Sequence, residues 1–293
     1  MYKNYLRKNK HLILLMFFIL CLLFTINNFN SSIHIKNYKQ NPSTEIYIHY
    51  IDIGQGDSIL IQVNNKNLLI DSGPRSNKDS LINYLSSLKI DTLDYVIATH
   101  PHEDHIGNMS SVIKKYNVIS FYAPKVENTS RTFEKMIEAL KDKDLKINVL
   151  RKGSNSIDLG TNTKVTVFSP IDDSYANLNN YSPVIKIEYG NTSFLFTGDT
   201  EKDIEEKIVN NNDDISADVL KVGHHGSSTS TSKIFLEKVN PSIAVISVGE
   251  YNSYNHPNEE IINELNNNKV KIYRTDKDGT VILSSNGYKI TKR

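Results

Sequence analysis

A chain of 293 residues with 39% hydrophobic and 23% charged side chains, 13 Gly and 8 Pro has ordinary globular composition, which excludes disorder and collagen-like structure and leaves ample material for a core. Lys and Arg number 34 against 33 Asp and Glu, but Lys3, Arg7, Lys8 and Lys10 precede the first apolar run, and the remainder is slightly acidic at 30 against 33. The body therefore lacks the broad basic field of a protein that holds nucleic acid mainly through charge, and its single cysteine, Cys21, excludes an intramolecular disulfide or a Cys-rich zinc module.

From Leu12 to Ile26 the chain reads LILLMFFILCLLFTI, behind four cations and no acid. At about 1.5 Å per residue this run is short for a bilayer core of roughly 30 Å, and it suits either a signal-peptide core or an anchor. The following NNFNSSIHIKN offers no small-x-small cleavage site, which favours an uncleaved anchor. Leu20 before Cys21 argues against a lipoprotein signal, which needs a small residue there. The cations stay in the cytoplasm, so everything beyond the run is expected outside the cell membrane, or secreted if the signal is cleaved. Residues 1–27 are thus read as signal peptide or membrane anchor, 28–44 as a polar tether and 45–293 as the folded domain.

EIYIHYID and SILIQV are apolar strands joined by the Gly54-Gln55-Gly56-Asp57 turn, and NLLID follows after Asn64-Asn65-Lys66. SNKDSLINYLSSLK repeats Leu and Ile at helical spacing, and LDYVIATH is a buried strand ending at His100. Further strands are predicted in VISFYAP, KVTVFSP, VIKIEYG, SFLFTGD, ADVLKVG, SIAVISVG, KIYRTD and TVILSS, with helices over 131–141, 201–210, 231–239 and 258–266. A meander first and strands alternating with helices later predict two mixed sheets covered by helices, an α/β layered sandwich.

The chemistry concentrates in residues 99–107, ThrHisProHisGluAspHisIleGly, directly after a strand. His100 and His102 are two apart in an extended segment, so both imidazoles face one side, as gripping one metal ion requires. Pro101 favours that conformation by pushing the residue before it toward extended geometry. Asp104 and His105 fall on the next turn, displaced enough to serve a second ion. Three imidazoles and a carboxylate within six residues are costly to gather without a cation.

This spacing resembles the metallo-β-lactamase-fold hydrolases, whose signature is His-x-His-x-Asp-His. The resemblance extends to the extracellular hydrolase domain of ComEC-type DNA-uptake proteins and its standalone relatives. It rests on IDIGQGDSILI, LLIDSG, THPHEDHIG, FLFTGD, DVLKVGHHGS, SVGEYNSYNHP and YRTDKDGTV, in that order over residues 51–281. It implies an αββα sandwich with two divalent ions, Zn²⁺ or Mn²⁺, at the loop ends of the sheets. It also implies that Asp199 bridges the ions and that one of His224 and His225 is a ligand. His225 is the choice by resemblance, with His224 behind it or facing substrate, because neighbours on an extended chain point to opposite sides. His256 is expected to touch substrate or donate a proton, sharing the catalytic role with Asp104. Asp57 and Asp71 are expected to orient ligating imidazoles, with a plain turn role as the alternative.

One departure stands out: many members supply a further His to the first ion, and residues 106–198 contain none. Water, or a weaker group such as Asn180 or Ser182, would fill that position, leaving the first ion more weakly held or favouring Mn²⁺.

The expected function is a membrane-anchored phosphodiesterase or nuclease, using metal-activated hydroxide outside the cell on DNA or a small phosphodiester. Alternatives are a hydrolase of a small envelope phosphodiester, ester or lactone, and a metal-binding surface module without turnover. Antibiotic cleavage is the least favoured, and no protein partner is indicated.

Overall fold

Alternation along the strands decides the layering. β1 (Ile46–Tyr50), β2 (Ile59–Val63) and β3 (Lys66–Ile70) form an antiparallel meander. Ile59, Ile61, Val63, Leu68 and Ile70 join one hydrophobic core, whereas Leu60 and Leu69 join another. Successive side chains of a strand face opposite ways, so strands apolar on both faces must be covered on both. The computed structural model describes residues 44–293. The expected signal or anchor (1–27) and all of the tether but its last residue lie outside the described residues. Among the described residues no helix is long and apolar enough to cross a membrane.

After α1 (Lys78–Ser87) come β4 (Thr92–Ile97), the short helices α2 (Glu103–Ile106) and α3 (Met109–Lys115), then β5 (Asn117–Ala123), α4 (Arg131–Asp142) and β6 (Ile147–Val149). A second meander, β7 (Thr163–Val167), β8 (Ile185–Tyr189) and β9 (Thr192–Phe196), leads into α5 (Lys202–Asn210), β10 (Val219–Lys221), α6 (Lys233–Val239), β11 (Ile243–Ile246), α7 (Glu259–Asn267) and β12 (Lys271–Arg274). After α8 (Thr275–Asp278), β13 (Val281–Ser285) and β14 (Ile290–Lys292) return to pair beside β1. The sheets are eight-stranded, β14-β13-β1-β2-β3-β4-β5-β6, and six-stranded, β12-β11-β10-β9-β8-β7.

The core between the sheets includes Tyr50 stacked on Phe196, with ring centroids 6.3 Å apart. The outer faces carry α1, α3 and α4 on one side through Leu81, Val112 and Leu140, and α5, α6 and α7 on the other through Ile204, Phe235 and Ile261. This is the layered sandwich of two mixed sheets that the patterning predicts, in the αββα order that the resemblance implies. Not predicted were β6 and β14, edge strands of three residues too short to show alternation, and the short helices α2, α3 and α8.

Parallel pairing of β3 with β4 and of β9, β10 and β11 with one another brings the carboxyl ends of these strands together. That is where open α/β sheets bind ligands. Asp71, His100, Asp199, His224, His225 and Ser247 all lie just beyond these ends.

Candidate metal centre

Beyond β4 the chain runs through Thr99 and His100 to His102, which is extended at φ −71° and ψ 150°, and α2 then presents Asp104 and His105. His100 Nε2 lies 3.0 Å from His102 Nδ1, so the two imidazoles converge as their spacing predicts. The Gly54–Asp57 turn packs against this segment through Asp57 N, which donates to Asp104 O at 3.2 Å. At Gly56, φ +144°, a Cβ would collide with Asp104 O, so this close approach requires glycine.

Asp199, three residues past β9, is the point of convergence. Its Oδ2 is 3.2 Å from His105 Nε2, 3.6 Å from His224 Nε2, and 3.7 Å from both His100 Nε2 and His225 Nε2. Asp104 Oδ2 lies 3.3 Å from His225 Nε2 and 3.9 Å from His105 Nε2. One ligand atom from each of Asp104, His105, Asp199 and His225 falls within 4.8 Å of the others. Most of these separations are too long for hydrogen bonds and suit atoms arranged around a cation. Moreover, the buried His105 Nε2, His225 Nε2 and Asp199 Oδ1 have no hydrogen-bond partner. Orphaned buried polar atoms are costly to a protein alone, and a divalent ion among them would remove that cost. Mixed imidazole and carboxylate donors are ligands suited to a divalent metal ion.

A shell of partners aims each ring. His105 Nδ1 is 2.8 Å from Asp71 Oδ2, and Asp71 in turn accepts from Thr99 N at 2.8 Å and Thr99 Oγ1 at 2.6 Å. His100 Nδ1 lies 3.2 Å from Ser182 Oγ and 3.1 Å from Thr99 Oγ1. His225 Nδ1 lies 3.0 Å from Ser247 O and 3.4 Å from Asp57 Oδ1. Such contacts leave the opposite nitrogen of each ring, Nε2, facing Asp199.

Carboxylates concentrate negative charge at the same point, which draws protons to the imidazoles and would draw a cation. Burial pushes the His105 imidazole down, but Asp199, Asp104 and Asp71 hold it well above its ordinary range. His225, also opposed by burial, is raised to about 10 by Asp199, Asp104 and Asp57. The Asp104 and Asp199 carboxyls, which burial alone would raise, are held below their ordinary range chiefly by His105 and His225.

Residues 51–250 match the family described as the metallo-beta-lactamase superfamily. The chain belongs to that superfamily. It is a metal-dependent hydrolase by family and fold. ComE operon protein 3 of Bacillus subtilis (strain 168) is 33% identical over 257 residues, covering 82% of this chain and 33% of that protein. Competence protein ComA of Neisseria gonorrhoeae is 29% identical over 242 residues, covering 82% and 32%. These are ComEC-type competence proteins, in agreement with the motifs, and the chain spans about a third of the length of the curated relatives it matches. Among solved structures, the metallo-beta-lactamase fold protein YhfI from Bacillus subtilis superposes with a TM-score of 0.54 at 13% identity, over 82% of this chain and 100% of that one. That likeness concerns the fold.

Within this metallo-β-lactamase frame, two expectations change. His224 and His225 do not alternate on an extended chain; they occupy a tight turn with both residues left-handed, at φ 49° and 55°. His225 is buried against Asp104, and the His224 Nε2 nevertheless also reaches Asp199. Asn180 does not reach the metal centre: its Nδ2 donates to Asp203 Oδ1 at 2.9 Å, and its Oδ1 accepts from Glu201 N at 3.0 Å. Ser182 does approach, but as a support, bonding His100 Nδ1 and accepting from Asp199 N at 3.2 Å. Burial, His225 and His224 lower His256 to about 4, so its ring is neutral at physiological pH.

Two residues escaped the sequence reading. Thr99 braces Asp71 as described. Lys221, fully buried, places Nζ 2.9 Å from Asp57 Oδ2 and donates to Val222 O at 2.9 Å. Its signal was a cation inside the otherwise apolar run VLKV. Burial pushes the Asp57 carboxyl up, yet Lys221 and His225 together pull it down to about 2.

Gln55, His102, Glu103, Asp104, Asp199, His224, His225, Tyr254 and His256 line a cleft of about 370 Å³. A larger cleft of about 500 Å³ lies among the turns at the opposite strand ends, lined by Asn64, Asn162, Asn191 and Tyr288. Among the described residues it is lined by neither histidine nor carboxylate, and several of its asparagines serve left-handed turn positions, so the metal-ligating chemistry lies in the smaller one.

Proposed function

We propose that the protein is a phosphodiesterase held at the outer face of the membrane by its N-terminal segment, acting on DNA or on a smaller phosphodiester. The observation that carries this reading is the shared Asp199 Oδ2, which four imidazole nitrogens approach within 3.2 to 3.7 Å at the floor of an open cleft. The carboxylate stands between a first position, built from His100 and His102, and a second, built from Asp104, His105 and His225. Divalent ions held by these residues would supply activated water at neutral pH and would offset charge on the attacked group and the leaving oxygen.

The chain's own residues do the rest. Asp71, Ser182, Asp57 and Ser247 O hold the rings in register, so little reorganisation accompanies substrate binding. Among the described residues no Lys or Arg lines the cleft, so a phosphate entering it meets cationic charge from these residues only at the metal centre. His256 flanks His224, with ring centroids 5.7 Å apart, and Tyr254 stacks beside His256 at 5.7 Å and 25°. A neutral imidazole there can hydrogen-bond a phosphate ester oxygen, and the exposed Tyr254 offers a flat apolar face beside it.

The test is a panel on Zn²⁺- or Mn²⁺-loaded full-length protein: linear DNA, a chromogenic phosphodiester, a lactone and a β-lactam. Metal-dependent turnover is expected on one or both phosphodiesters. Turnover confined to the lactone or the β-lactam would replace phosphodiester hydrolysis by ester or amide hydrolysis. No turnover on any, with metals bound, would leave a metal-binding surface module.

A further inference from the structure

We infer that His224 is a ligand of the first metal position, completing it with His100, His102 and Asp199. This rests on the two-ion reading above and deepens it. The first position otherwise rests on two imidazoles and a shared carboxylate, with His100 Nε2 3.0 Å from His102 Nδ1 and 3.7 Å from Asp199 Oδ2, and a third imidazole would strengthen it while a five-coordinate ion still leaves a position for water. His224 Nε2 stands 3.6 Å from Asp199 Oδ2, against 3.7 Å for His100 Nε2, so the two rings approach the carboxylate alike.

The other nitrogen of His224 is already engaged: Nδ1 lies 3.0 Å from Thr229 Oγ1, and Glu201 Oε1 is 3.8 Å away. Thr229 is itself fixed, since its N donates to Ser227 Oγ at 3.2 Å. When Nδ1 carries the proton and Thr229 Oγ1 accepts it, the Nε2 lone pair of His224 faces a carboxylate oxygen, and a cation between them would relieve that repulsion. The same division of labour, one nitrogen fixed by the protein and the other toward Asp199, holds for His100, His105 and His225.

The backbone is built for this placement. His224 sits at φ 49° and ψ 47°, a conformation non-glycine residues seldom adopt, and it is pinned by His224 N donating to Gly198 O at 3.0 Å and Ser227 N donating to His224 O at 2.8 Å. The loop bearing Asp199 and the turn bearing His224 are thus tied together one residue from the shared carboxylate. The side chain of His224 remains 22% exposed, on the open face of the cleft. His224 would therefore hold the first ion on the open side of the cleft, supplying the donor that residues 106–198, lacking histidine, do not.

The experiment measures metal per chain and affinity on full-length protein in detergent, titrated with Mn²⁺ from the metal-free state and followed by elemental analysis and by the spin-coupled Mn²⁺ EPR signal of a paired site. The variants are His224→Ala and His224→Asn, with His102→Ala and His225→Ala as references for the two positions. Asn tolerates the left-handed backbone, so His224→Asn carries the test if the alanine variant does not fold. Wild type is expected to bind two ions with a coupled signal. Both His224 variants should keep one tight ion, bind the other at least tenfold more weakly, and lose the coupled signal, as His102→Ala does. Two ions held at wild-type affinity in the His224 variants would overturn the inference while sparing the paired-ion reading. Fewer than two ions in the wild type would overturn both.

Discussion

Replacing Lys221 by Met tests whether the charge buried beneath the metal centre supports both stability and the ligands. Lys221 is fully buried at the end of β10, and its Nζ lies 2.9 Å from Asp57 Oδ2. Methionine preserves most of the volume but leaves the Asp57 carboxylate in the interior without its cation. Removing one member of a buried pair costs about 3–5 kcal/mol, because the remaining charge is uncompensated. At about 2–4 °C per kcal/mol for a domain of this size, the midpoint of thermal unfolding should fall by roughly 6–20 °C. The protein has 16 Tyr and no Trp, so near-ultraviolet circular dichroism of tyrosine is the suitable probe, with chelator present to separate folding from metal binding. The double variant Lys221→Met with Asp57→Leu removes both charges, and should recover at least about 2 kcal/mol of the single variant's loss. Because Asp57 Oδ1 lies 3.4 Å from His225 Nδ1, the single variant should also bind its metals about 10- to 100-fold more weakly. A Lys221→Met protein within about 1 kcal/mol of wild type, or a double variant worse than either single one, would refute the argument.

The remaining expectations concern titration, roles and topology. Burial lowers His49 to about 4, and an exposed histidine titrates near 6.5, so the unfolded chain alone takes up this proton between those values and stability should fall as pH drops through that window. The loss at pH 4.5 is about 2 kcal/mol relative to pH 7, and His49→Gln should flatten that part of the stability profile. Asp199→Ala should weaken binding of both ions and lower turnover by several decades, whereas His256→Ala should retain metal and lose turnover. Equal metal loss in the two variants would make His256 a ligand. Protease added to intact cells should digest the folded body while the N-terminal segment stays with the membrane; a protein protected inside the cytoplasm would reject the outward orientation.

What the sequence disclosed about the metal centre follows from how far apart its parts lie. His100, His102, Asp104 and His105 were legible because they share one turn of chain, where spacing alone converts to geometry. Asp199 and His225 were reached only through resemblance, since a Gly-Asp after a strand is by itself an ordinary turn. The direction of His224 was misjudged because extended alternation was assumed. Yet Gly223 and Gly226 bracket the pair, and both histidines are left-handed. Asn180 was misjudged for another reason: an amide can be consumed at both ends, and Asp203 and Glu201, which consume it, become its neighbours only when the loop before β8 meets α5. The fold was more legible than the site, because alternation is local and the supports are not. Ser182 bonds a ring 82 residues before it, and Ser247 O one 22 residues before it. A ligand motif states which nitrogens are able to bind, whereas these distant contacts on the opposite nitrogen decide which ones face the ion. By that criterion His224, fixed through Thr229, belongs with His100, His105 and His225, although no spacing rule singles it out.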